Sequence, residues 1–189
     1  MPATNTGLPD WNAAGASKDL KKPTVLGRIS LSSQKSLTRR ALNEAGARRL
    51  NATEQPRFRN IASGLAERLG LGSVDLYVMD DGGPNAMTGK TDKPVVAARV
   101  SLLDSYARTE LEAVVAHCLV RYREAGKRGV VVGYSDDVRA AALTRYPPAL
   151  ISAFERAEAY EGRYGSFYLV AGSPTHRPLQ ARIEALGDL

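Results

Sequence analysis

Apolar residues first recur at helical spacing around Leu37, Ala41, Leu42 and Ala45, which predicts a basic amphipathic helix over 33–48. A second helix is predicted over 55–69: Ile61, Leu65, Ala66 and Leu69 share a face, and Gly70 and Gly72 follow its end. The period then drops to two in VDLYVM at 74–79, a strand, and Asp80 to Pro84 form a turn. Short strands follow at 85–88 and 94–100, the latter from the β-branched run PVVAARV. A short helix over 101–107 leads to a strong one over 109–124. Thr109 is its expected cap, and Leu111, Val114, Val115, Cys118, Leu119 and Tyr122 form its buried face. Helices over 135–145, 148–160 (started by Pro147 and Pro148) and 178–186 close the chain, with a strand at 166–170 between the last two. A helix, a small sheet and then mostly helices make an α+β pattern.

Residues 1–24 are rich in Gly, Pro, Asn, Ala, Ser and Lys without apolar period. The expected division is a flexible basic tail at 1–32 and one domain at 33–189. Charge follows that division. The net +6 is carried by Lys18, Lys21, Lys22, Arg28, Lys35, Arg39, Arg40, Arg48 and Arg49, against three acidic residues in the first fifty; the rest is balanced. Such an arm suits an acidic protein, an anionic surface or nucleic acid, although no nucleic-acid motif accompanies it. No apolar run is long enough to cross a bilayer and no signal core opens the chain, so a soluble cytoplasmic protein is expected. A lone cysteine, Cys118, fits a reducing compartment.

Chemistry concentrates on LEAVVAHCLVRYR at 111–123. Taken alone, it is an amphipathic helix with one histidine, His117, and a small core cysteine. Cys118 beside His117 does not make a nucleophile pair, because neighbours on a helix point about 100° apart. No Gly-rich phosphate loop occurs.

Several segments together resemble the HtpX-like zinc metallopeptidase family. GLAERLGLGSVDLYVMDDGGPNAMTGK at 64–90 is similar to its helix, strand and Asn-Ala edge strand, with Asn85 and Ala86 on that pair. VVAARVSLLDSYARTELEAVVAHCL parallels the strand, Leu-Leu element and active-site helix. DDVRAAALTRYPPALISAFERAE resembles the aspartate-bearing helix and the Pro-started helix behind it, and THRPLQARIEAL the closing His-Pro-Arg-Ile motif. The resemblance implies a zincin-like fold, with helices packed on a small mixed sheet around a central helix.

It also implies what has been lost. The family carries H-E-x-x-H, two zinc-binding histidines and a general-base glutamate, on that helix. Here His117 keeps the first position, Cys118 stands at the base and Arg121 at the second ligand; Gly133 falls at the third. A guanidinium keeps its charge and repels a dication. Asp137 matches the aspartate that orients the first histidine, and His176 and Arg182 match groups that contact substrate. Asn85 and Ala86 match the edge that takes peptide by strand addition. Arg121 is expected to pair with Asp136 or Asp137.

The expectation from the sequence is therefore a degenerate member: a non-catalytic pseudopeptidase, without metal or cofactor, that binds or scaffolds another protein or itself. His117, Cys118, Arg121, Gly133, Asp137, His176 and Arg182 would line a vestigial cleft, or merely brace the helices. Two alternatives stay open: an atypical hydrolase using Cys118 or a metal held by His117 and His176, and binding of nucleic acid or an anionic surface by the basic arm.

Overall fold

A computed structural model of the chain describes residues 31–124, 134–174 and 176–189. The expected tail, including Lys18, Lys21, Lys22 and Arg28, lies outside the described residues, as does Gly133. The described elements are α1 (Leu31–Glu44), β1 (Arg48–Arg49), α2 (Pro56–Arg68), β2 (Asp75–Met79), β3 (Ala86–Lys90), β4 (Pro94–Arg99), α3 (Val100–Ser105), α4 (Arg108–Glu124), α5 (Ser135–Thr144), α6 (Pro147–Arg156), a 3-10 turn (Gly165–Phe167) and α7 (Leu179–Gly187). The fold is α+β, with one mixed four-stranded sheet in the order β1-β2-β4-β3.

The sheet is buried on both faces, which explains why PVVAAR reads as a continuous apolar run rather than an alternation. Successive β4 side chains still point to opposite sides. Val96 and Ala98 join Val78, Ala86, Phe58, Leu65 and the inner residues of α4 and α6. Val95 and Ala97 join Met79, Met87, Ala41, Leu42, Tyr164 and Tyr168 on the other side. β4 pairs in parallel with β2 and antiparallel with β3, so β3 forms an outer edge.

α4 is the central element. Every residue from Glu110 to Val120 except Glu112 is buried, and Arg121 onward is partly exposed. A helix enclosed nearly all round needs no polar stripe until it emerges. Its start differs from expectation. Thr109 lies inside the helix, and the Glu110 carboxylate accepts the Ala107 N–H at 2.7 Å. The same carboxylate accepts from Ser152 Oγ and Arg156 Nη1, both at 2.6 Å, tying α4 to α6.

The edge of β3 is not open. Near its start, Leu169 N–H donates to the Ala86 carbonyl at 2.8 Å, and Met87 forms an antiparallel bridge with Tyr168. Near its end, the Lys90 N–H donates to Thr38 Oγ1 of α1 at 3.0 Å. Gly89 makes that approach possible: a Cβ there would sit 2.5 Å from Thr38 Cγ2. The expectation that Asn85 and Ala86 present a free peptide-binding edge is thus corrected; both are 0% exposed. The strand expected over 166–170 is instead a 3-10 turn followed by isolated bridges at Tyr168 and Ala171. α6 ends at Arg156, four residues early, and β1, two exposed arginines without alternation, was not predicted.

Candidate functional site

α4 brings His117 to the interior, α5 brings Asp137 behind it, and α7 brings Arg182 from the far end of the chain. His117, Asp137 and Arg182 are each at most 1% exposed. Arg182 grips Asp137 with both ends of its fork: Nε donates to Oδ2 and Nη2 to Oδ1, each at 2.8 Å. His117 Nδ1 lies 3.1 Å from Asp137 Oδ1, off the line of a well-aligned hydrogen bond. Burial alone would raise the Asp137 pKa; the Arg182 guanidinium and His117 override it and hold the carboxyl below its usual range. Burial keeps His117 neutral, lowering its pKa against the pull of Asp137.

Phe154 of α6, absent from the sequence expectations, completes the packing. Its ring lies edge-on to His117, with centroids 6.1 Å apart, and beneath Arg182, whose guanidinium carbon is 4.2 Å from the centroid. That contact suits a cation on an aromatic face.

The remaining donors converge on the main chain of 166–169. Arg121 Nη1 donates to the Tyr168 carbonyl at 3.0 Å, and Nη2 donates to that of Ser166. His176 Nε2 donates to the same Tyr168 carbonyl at 2.8 Å, and Arg182 Nη1 to Leu169 at 2.8 Å. Asn85 Nδ2 donates to the carbonyls of Glu158 at 2.6 Å and Val170 at 2.8 Å, while its Oδ1 accepts from Ala86 N–H. The structure therefore gathers His117, Arg121, Asp137, His176 and Arg182, with Asn85 beside them. It turns most of them towards backbone carbonyls, which carry no signature in a sequence.

The expected partner of Arg121 is corrected. Both Asp137 oxygens go to Arg182, and Asp136 acts on Arg121 only through space. As a whole Arg121 is half-buried, but its charged end is deep among protein atoms, and burial brings its pKa down to about 10. Asp136 is buried and its pKa is raised by burial. Burial pushes the Cys118 thiol up to about 12, so the thiolate nucleophile of the hydrolase alternative is not available. Burial lowers His176 to about 4.

The described residues do not fit zinc. A zinc site needs about three protein ligands converging on one point. His117 Nε2 and His176 Nδ1 have no hydrogen-bond partner among the described residues, yet no group of three His, Cys, Asp or Glu able to hold a metal occurs among them. Asp137 is spent on Arg182. A dication at His117 would also be repelled by the fixed charge of the Arg121 guanidinium, one turn on along α4. The alternative of a metal held by His117 and His176 meets the same obstacles.

Three of the arm residues inside the fold are neutralised by the domain itself. Lys35 pairs with Asp92, Arg49 with Asp75, and Arg48 with Glu54 (Nη1–Oε2 2.8 Å) and Asp80 (Nε–Oδ2 3.3 Å). Arg39 and Arg40 remain on the surface. Where the basic arm is described, part of its charge is thus met by local ion pairs. No described helix is long and apolar enough to cross a membrane.

Fold and cluster define an α+β domain built on a buried central helix whose histidine is backed by a carboxylate from the next helix. Part of the chain is similar to proteins named Protease HtpX homolog. One from Dictyoglomus turgidum is 42% identical over 78 residues, 40% of this chain and 26% of its own length. One from Tropheryma whipplei is 38% identical over 81 residues, 42% of this chain and 28% of its own. One from Thermodesulfovibrio yellowstonii is 34% identical over 80 residues, 41% and 28%. The match spans little more than a quarter of these relatives. No family model matches. The expectation of a non-enzymatic binding protein does not stand against relatives that are named as proteases.

Proposed function

We propose that this chain is an HtpX-type domain of zincin-like architecture that acts on polypeptide as a peptidase, in a form that does not keep the family's zinc ligands. The observation that carries this reading is the similarity to named proteases at up to 42% identity.

Proton transfer is assigned to Asp136. It is the carboxyl beside His117 and Arg121 that forms no ion pair among the described residues, and burial raises its pKa above the ordinary aspartate value. Cys118 and Asp137 are set aside, the first as a buried thiol and the second as the partner of Arg182.

The test is to incubate the full chain with reduced, unfolded casein and with a stably folded protein, and to look for new chain termini by mass spectrometry. New termini in the unfolded substrate alone are expected. Two substrates left intact would overturn the proposal.

A further inference from the structure

The guanidinium side chains around His117 present charge of the wrong sign for a metal centre. His117 has a buried Nε2 without a partner among the described residues, the arrangement of a ligand in waiting. Four residues on, in the next turn of α4, the position that faces the same way holds Arg121. Its guanidinium is not turned out to solvent. It reaches the carbonyls of Ser166 and Tyr168, two residues apart in the segment that also bridges β3. The second guanidinium, of Arg182, holds Asp137 and the Leu169 carbonyl. A planar fork of fixed charge suits such multiple acceptors, where an ammonium would serve as one point.

We infer that the guanidinium of Arg121 is the resident cation of this site: it excludes a metal at His117, and it binds the 166–169 segment to α4 as a bound ion would bind its ligands. The carbonyl oxygens of Ser166 and Tyr168 are its acceptors, His176 shares the second, and Arg182 supports the neighbouring Leu169. The chain thereby gains a metal-free cross-tie between its central helix and its C-terminal third. The inference concerns binding and does not depend on whether the chain cleaves polypeptide.

Two measurements on the full chain test it. Zinc retained after equilibration with excess zinc and exhaustive buffer exchange is measured by elemental analysis, in wild type and in His117→Ala. Substoichiometric zinc, equal in both, is expected. About one zinc per chain, lost in His117→Ala, would overturn the inference, as would imidazole ligation seen by zinc-edge absorption on the wild type should that variant not fold. Hydrogen exchange of the amides at 165–169 is then compared among wild type, Arg121→Lys and Arg121→Met. Exchange about tenfold faster in Arg121→Met, with Arg121→Lys intermediate, is expected from loss of the tie. Unchanged exchange in the variant that folds would count against it.

Discussion

Arg182 and Asp137, 45 residues apart, form a two-point ion pair with 2.8 Å contacts and 1% exposure on each side. The pair joins α7 to α5 and fixes the carboxylate that faces His117. A buried charge left without its partner costs about 3–5 kcal/mol, whereas replacing both partners by apolar residues costs much less. Asp137→Asn and Arg182→Met are each expected to lower unfolding free energy by about that amount in chemical denaturation. The double variant Asp137→Leu with Arg182→Met is expected to lose less than the two single losses added together, because the sites are coupled.

Acid should destabilise the fold in two stages. Burial lowers His176 from 6.5 to about 4, and lowers His117 as well. Between about pH 6.5 and 4 the unfolded chain therefore binds more protons, so stability is lost as pH falls through that window, by on the order of 1 kcal/mol or more. Asp137, held below the ordinary aspartate range by Arg182 and His117, adds a further loss below about pH 4. Denaturation midpoints measured from pH 8 to 3 check this. In His176→Gln the first stage should be smaller and the second unchanged.

Asn85 is expected to matter for structure. Its amide donates to the buried Val170 carbonyl and to the partly buried carbonyl of Glu158, and its oxygen accepts a third bond. Asn85→Ala leaves those groups unpaired, which costs about 2–3 kcal/mol. The Leu169 amide, bonded to Ala86, should exchange faster in that variant, and this is read by hydrogen exchange.

Cys118 should be inert. The native chain is expected to resist thiol alkylation at pH 8 until it is unfolded, as a thiol pushed up to about 12 in a buried site requires. Cys118→Ala should leave any cleavage of polypeptide unchanged. Rapid labelling of the folded chain would contradict this assignment.

The helices from Pro56 onward were legible in sequence because their apolar faces keep the 3.6-residue period, with Pro56, Pro147 and the glycines marking ends. The grouping of His117, Asp137, His176 and Arg182 was implied only by the family resemblance of the segments that carry them, since no period or charge pattern joins them. What Arg121 binds was not. Its acceptors are the carbonyls of Ser166 and Tyr168, and every residue type supplies a carbonyl, so no spacing rule points to them. Phe154 was hidden for a related reason, since a core aromatic on an amphipathic helix does not reveal that one ring serves both an imidazole and a guanidinium. The edge at Asn85 and Ala86 looked free because nothing in 166–170 signals that its backbone folds back to cover β3.

The proposed zinc-independent cleavage of polypeptide is tested most directly by the rate at which the full chain produces new termini in unfolded casein, with and without a zinc chelator. The same rate is expected in both, with loss in Asp136→Asn while that variant stays folded by circular dichroism. Intact casein in both reactions, or cleavage abolished by the chelator, would contradict it.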